Sequence, residues 1–453
     1  MIRTSHRDLA AVAAAAVLVG TAVVVGRYLQ DTHGTLLVGN APLYGRWGPH
    51  AGPGTPAALA TAAAVVACGP PLAARLPWRA LLWAAWGAAL AWTWSLALVD
   101  GWERGVARRL TTRHEYLQVI DRFHDIPAAL RDFDRHILLH SPDNWPAHVA
   151  GHPPGATLTF VLLDRVGLGG GGWAGAWCIT VGATACIAVL VAVRALAGEE
   201  RARRAAPFLA MMPAAVWMGT SADGYFAAVA AWCLAFLALA VTGRRPWLTG
   251  FAAGLLFGLT CYLSYGLTLF ALIAGAVVLL GTRRVRPLPY ALAGAAVVPL
   301  AFTLAGFDWW AAYRLLVERY YEGAAGVRPY GYWVWANLAC TVLIVGPATV
   351  AGLRRTGATL LAGRGRLRAS VLTGPDSPGV RADVRLALLV AAALVALLAA
   401  DVSGMSKAET ERIWLPFAQW LAAACAFLPR PRAWLAAQAV LALLLNHLCL
   451  TGW

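Results

Sequence analysis

The chain has 453 residues, of which 60% are apolar and only 13% charged, and it carries a formal net charge of +15. Runs of 16 to 22 residues without a charge recur along it, close to the roughly 20 needed to cross a hydrocarbon core of about 30 Å. This excludes an ordinary soluble domain, and the lack of any period-two alternation in the Ala/Leu/Val blocks excludes a β-barrel, leaving an all-α polytopic membrane protein.

The first apolar run follows Arg3 and Arg7 and ends at Gly26-Arg27-Tyr28. That is a poor small-residue cleavage site, so a retained span is expected here and not a removed leader. Spans are predicted at 9–28, 56–74, 80–99, 173–193, 205–220, 224–241, 247–263, 265–281, 288–305, 332–351, 384–400, 413–428 and 433–450, about 13 in all. With the amino terminus inside, the inner connections collect 22 of the 37 cations and only five of the 22 acids, while the outer segments are nearly neutral. Such asymmetry is what the positive-inside rule requires. The basic charge therefore predicts a plasma-membrane orientation, with a cytoplasmic amino terminus, an outer carboxyl end and affinity for anionic inner-leaflet lipid. It does not call for a nucleic-acid partner. The Gly/Arg/Pro-rich stretch 352–385 is expected to be an inner loop. All eight cysteines (Cys68, Cys178, Cys186, Cys233, Cys261, Cys340, Cys425 and Cys449) fall in predicted spans, without C-x-x-C spacing, as small apolar residues.

Three sections follow from this pattern: an amino-terminal three-helix segment (1–99), an extracytoplasmic loop (100–171) and a helix bundle (172–453). The loop holds nine of the 22 acids and six of the 10 histidines. Within it, Ile126, Leu130, Phe133 and Ile137 recur at helical spacing, with Arg131, Asp132, Asp134 and Arg135 on the other sides, as in a surface helix. The stretch 153–168 is too short to span and contains Asp164-Arg165. Counted as a crossing, it would turn every later arginine cluster outward, so it is expected to lie on the outer face, begun by Pro153-Pro154.

A large outer loop with surface helices, acids near its start, a Pro-Pro segment near its end and a further acid at the outer end of a later span resembles membrane glycosyltransferases of the GT-C fold. Through His152-Pro153-Pro154 it is most similar to the protein O-mannosyltransferase and aminoarabinose transferase family, glycosyltransferase family 39, and through Asp143-Asn144-Trp145-Pro146, Gly151-His152-Pro153-Pro154-Gly155, Ser221-Ala222-Asp223 and Glu411-Arg412-Ile413-Trp414 it resembles actinobacterial membrane proteins of that kind. The likeness covers the plan of about residues 80–450. It departs in that the large loop follows the third span, not the first, and no tandem Asp-Glu follows that span.

The resemblance implies transfer of a sugar from a polyprenyl-phosphate-linked donor to a hydroxyl of an envelope acceptor (lipid, glycan or protein), with inversion. Such a step needs a carboxylate to take the hydroxyl proton and cations or donors for the departing phosphate. Asp100 and Glu115 are the candidate bases; the structural alternatives are an interfacial Asp ending a helix and a Glu paired with Arg113 or Arg109. His152, Asp223, Arg328, Lys407 and Arg412 are the candidate substrate-binding residues. His152 would donate to a phosphate, Asp223 would orient the sugar or hold a divalent cation, and the three cations would clamp the phosphate. Against the clamp stands an ordinary salt bridge, for instance Arg412 with Glu409. No cofactor is expected. The pairs His136/His140 and His148/His152 have the four-residue spacing of zinc ligands but no supporting pattern. Most of the 21 tryptophans fit interfacial belts, with Trp145 a candidate platform for a sugar face. The competing readings are a transporter or lipid flippase, which would place ionisable groups in mid-span or show a duplicated half, and a non-catalytic scaffold.

Overall fold

The computed structural model describes residues 2–363 and 378–452. Among the described residues, eight helices are long and apolar enough to cross a membrane: His6–His33, Thr55–Arg75, Trp78–Asp100, Gly171–Ala197, Ala222–Val241, Pro246–Leu263, Tyr330–Ala362 and Gly379–Val402. A ninth results if Leu288–Leu304 is joined to Trp309–Glu322 across a 78° bend. The protein is thus a polytopic helical membrane protein.

The expected count of 13 rests on five further segments that fall short of these eight in length, straightness or apolar character. The predicted span 205–220 is interrupted. Glu199–Ala210 stops before Pro213, and a single turn, Ala215–Met218, follows. The span 265–281 begins as a 3-10 turn, Tyr265–Leu269, before Phe270–Leu280. The span 413–428 is an eight-residue helix, Leu415–Ala422, continued by a 3-10 turn, and Pro431–Leu448 has 18 residues.

Two features show how closely these helices pack. Gly254 and Gly294 let Pro246–Leu263 and Leu288–Leu304 touch backbone to backbone, since a Cβ at Gly254 would overlap the carbonyl of Ala291. In Tyr330–Gly363 the helix breaks at Gly346, whose φ of +76° suits glycine, ahead of Pro347. The Gln438 side chain fills that break, accepting from Ala348 N at 3.3 Å and donating to Val345 O at 2.9 Å.

The described parts of the segment expected as an inner loop are helical: Tyr330–Gly363 runs well past residue 352, and Pro378–Val402 starts before residue 385. Arginine at these ends reads as loop composition, yet here it ties helix ends together. Arg354 and Arg355 both reach the buried Asp8, at 2.8 and 2.6 Å. Residues 364–377, with Arg364, Arg366 and Arg368, lie outside the described residues.

The same end gathers the other arginines of the predicted inner connections. Arg201 meets Asp383 at 2.5 Å, Arg203 donates to the carbonyls of Ala73 and Leu76, and Arg204 donates to Leu428 O. The opposite end carries the 100–171 segment. There Ile126–Asp132 and the turn Phe133–His136 bury Leu130, Phe133 and Ile137. Pro154–Arg165 keeps to this end: Gly155 abuts Tyr262, and Arg165 donates to the carbonyls of Phe123 and His124. The Gly171–Ala197 helix descends from it to Arg194, which pairs with Glu199. A small ribbon at this end joins β1 (Gly45–Trp47) antiparallel to β2 (Cys449–Thr451).

Candidate functional site

Three elements remote in sequence bring charged groups into one cleft between the 100–171 segment and the helix bundle. The start of the Ala222–Val241 helix supplies Asp223. Ser221 caps that helix, its hydroxyl accepting from Asp223 N and donating to Asp223 Oδ2 at 3.1 Å. A carboxylate in a first helical turn also meets the positive end of the helix dipole. The turn Thr410–Ile413 supplies Arg412, and the 100–171 segment supplies Glu115, Tyr116 and His148. Non-glycine residues stand in left-handed conformations on two sides, Thr220 (φ 72°) beside Asp223 and Ala408 and Glu409 (φ 73° and 62°) before Arg412. Such strain persists only where the surroundings enforce it.

Arg412 is the hub. It donates to Asp223 Oδ2 at 2.7 Å, Glu409 Oε2 at 2.9 Å and His148 Nε2 at 2.9 Å. Burial alone would lower its pKa, and the carboxylates of Asp223 and Glu409 more than offset that, holding it above the ordinary arginine value. Burial would raise Glu409, and Arg412 outweighs it, so the Glu409 pKa falls. A guanidinium only donates, so His148 accepts at Nε2 and carries its proton on Nδ1. That proton points at Glu115 Oε1, 2.9 Å away. Glu115 is buried, and its other oxygen, Oε2, has no partner.

The cleft is narrow, with a volume of about 10 Å³, room for about one water. Arg109 also lines it. Its Nη2 binds Asp100 Oδ2 at 2.7 Å and its Nη1 binds Thr451 O at 2.9 Å, whereas its buried Nε meets nothing. Among the described residues, Glu115 Oε2 and Arg109 Nε are thus an acceptor and a donor of the lining residues without partners.

Of the seven residues singled out from sequence, Glu115, Asp223 and Arg412 line this cleft. Asp100 stands behind it, between Arg109, His50 Nε2 at 3.0 Å and Arg104 at 3.7 Å, so its carboxylate is engaged by two arginines and does not line the cleft. Arg328 is committed to backbone, donating to Leu36 O and Lys407 O, and its Nη1 also nears Glu409 at 3.9 Å. Lys407 donates to Ala325 O at 2.9 Å and lies over the Tyr321 ring. Arg328 thus fastens the loop after the first helix and Lys407 the turn at Ala325, and neither lines the cleft.

His152 packs against Tyr116 and Phe226 beside the cleft, with Nδ1 donating to Leu263 O at 2.9 Å. Burial pushes its pKa down to about 4, against the pull of Asp223. The neutral ring has its one proton on Nδ1, so Nε2 offers a lone pair, and the expected donation to a phosphate is not available from it. Trp145 is buried, its indole donating to Phe133 O and one ring face covered by Arg122, which leaves it no role as an open sugar platform. His136 is held by Pro142 O. Among the described residues no group of three or more His, Cys, Asp or Glu side chains is arranged to hold a metal ion.

Arg109 and His148 were missed as site residues by sequence reasoning. The available signals were the scarcity of outer cations for the former and the position four residues before His152 for the latter.

No family model and no curated protein matches the sequence. Among solved structures, the chain is similar to the oligosaccharyltransferase of Archaeoglobus fulgidus, crystallised tethered to an acceptor peptide containing an NVT sequon. The two share 12% identity with a TM-score of 0.42, over 76% of this chain and 49% of that one. The chain thus spans about half the length of that protein.

Proposed function

We propose that the protein is a membrane glycosyltransferase of the GT-C type, working on the face that carries the 100–171 segment. In this reading it moves a sugar from a polyprenyl-phosphate-linked donor to a hydroxyl of a cell-envelope acceptor. The observation that carries it is the pairing of a buried free carboxylate oxygen, Glu115 Oε2, with a buried free guanidinium N–H, Arg109 Nε, in one cleft. Glycosyl transfer needs such a pair. The acceptor O–H bond breaks as its proton passes to Glu115, the oxygen bonds the anomeric carbon, and the bond from that carbon to the phosphate oxygen breaks with its electrons. Attack opposite the leaving group inverts the anomeric centre. Arg109 donates to the phosphate oxygen as negative charge grows there.

The other charged groups position. Arg412 holds Asp223 and, through His148, orients Glu115 so that Oε1 is occupied and Oε2 is left over. Asp223 then hydrogen-bonds sugar hydroxyls. The narrow cleft admits only the reacting oxygens, so the ring of the sugar sits at its mouth.

The test is the profile of lipid-linked sugars and envelope glycans, by mass spectrometry, in cells lacking the gene and complemented with wild type or Glu115→Gln. Accumulated lipid-linked sugar with a missing glycan modification in both deficient strains is expected. An unchanged profile accompanied by lost solute uptake would replace this reading with that of a transporter.

A further inference from the structure

At the arginine-rich end, Pro70 and Pro71 lie inside the Thr55–Arg75 helix. Neither has an N–H, so the carbonyls of Val66 and Ala67 lose their helical partners. Arg432 serves one of them, Nη2 donating to Ala67 O at 3.0 Å from the start of the Pro431–Leu448 helix. The same two helices are tied at their other ends by Thr55 Oγ1, which donates to His447 Nε2 at 3.0 Å. Beside the proline pair a groove of about 460 Å³ opens, walled by Pro70, Pro71, Arg430, Pro431, Arg432 and Ala433.

The walls are proline rings and a methyl group, and the only charged groups among them are two guanidiniums. Both arginines are exposed. The Arg430 guanidinium meets no partner among the described residues. An apolar groove that carries two cations and no carboxylate, at the membrane boundary of a helix pair, complements a molecule with an anionic head and a hydrocarbon tail. A free anion would leave the proline walls in water. A zwitterionic lipid would bring a second positive charge to the arginines.

We propose that this groove binds one anionic phospholipid from the leaflet at the arginine-rich end. The phosphate sits between Arg430 and Arg432, and the first part of an acyl chain lies against Pro70, Pro71 and Ala433. This site is independent of the cleft and of the transfer reaction.

Delipidated protein titrated with phosphatidylglycerol, phosphatidylcholine or inorganic phosphate, and followed by native mass spectrometry, tests it. Phosphatidylglycerol is expected to bind more tightly than phosphatidylcholine. Arg430→Ala should weaken it about fivefold and Arg430→Glu about thirtyfold, from the usual contribution of a basic residue near an anionic surface, while phosphatidylcholine stays unchanged. Ala433→Trp, which fills the groove without touching charge, should weaken phosphatidylglycerol as well, which keeps the test valid if a charge variant fails to fold. Equal affinity for the two lipids, full preference retained in the Arg430 variants, or displacement of the lipid by millimolar inorganic phosphate would each overturn the proposal.

Discussion

The two ends of this molecule use the same residue types to opposite effect. At the arginine-rich end several guanidiniums tie helix termini together: Asp8 is shared by Arg354 and Arg355, Arg203 holds two carbonyls and Glu199, and Arg201 bridges Glu200 and Asp383. At the cleft end the charges are as densely paired around Arg412, yet Glu115 Oε2 and Arg109 Nε are left over in buried positions. An unpartnered buried polar atom costs about 1–3 kcal/mol. The arginine-rich end also leaves buried atoms over, but Arg354 Nε and Arg385 Nε are both donors, whereas the cleft lining joins a leftover acceptor to a leftover donor, the combination that a transfer step can use.

The sharpest way to break this contrast is Glu115→Gln. The substitution keeps shape and removes the proton acceptor, so transfer should fall about 100-fold or more while thermal stability and donor binding stay near wild type. Full activity of the purified variant with a polyprenyl-phosphate sugar would sink the assignment of the base.

At the other end, Asp8→Ala should cost stability and not turnover. Removing one partner of a fully buried ion pair costs about 3–5 kcal/mol. Arg354 and Arg355 keep some solvent, so about 2 kcal/mol is expected, read as a lower melting temperature in detergent with normal activity per folded molecule. Loss of activity without loss of stability would show that the two ends are not functionally distinct.

Arg109→Lys is a smaller perturbation. Lysine keeps a positive charge beside Asp100 but has no Nε–H directed along the guanidinium plane. The rate should drop about tenfold through loss of one transition-state hydrogen bond, with the Michaelis constant for the acceptor little changed.

The smallest effect concerns Asp134, whose Oδ1 is also buried and unpartnered. Burial, aided by the Asp308 carboxylate, raises its pKa to about 6. The raised value means that the folded state binds this proton more tightly than the unfolded chain. The associated stability is therefore fully present below about pH 4 and is lost as the pH rises through about 6. Asp134→Asn should flatten melting temperature against pH across that window without altering transfer at pH 7; an unchanged slope would locate the titration elsewhere.

How much of this was readable beforehand differs between the two ends for a physical reason. Helices long enough to cross announce themselves in apolar runs, and the arginines mark their ends, because both signals are local in sequence. The break at Met211 to Ala214 and the bend before Trp309 are less visible, since prolines and glycines also occur inside intact spans here. The cleft is less visible still. Glu115 meets Arg412 only through His148, and Arg412 reaches Asp223 from 189 residues away. Residue chemistry could nominate Glu115, Asp223 and Arg412, but nothing in their spacing distinguishes them from Asp100, Arg328 and Lys407. Those three turn out to be engaged by neighbouring side chains and carbonyls. Choosing a base from such candidates requires knowing which one is left without a partner, a property of the assembled fold.

The β1–β2 ribbon sets an order of events for a chain inserted into a membrane as it is made. β2 lies within the last residues of the described chain, and the carbonyl of Thr451 in that strand is one of the two groups that hold the Arg109 guanidinium. Arg109 itself enters the membrane surface after only three of the long apolar helices. It must wait through the synthesis of all the helices between it and β2 before its second anchor exists. A chain halted before Cys449 would carry Glu115, Asp223 and Arg412 with Arg109 lacking that anchor, so the cleft is complete only once β2 has been made.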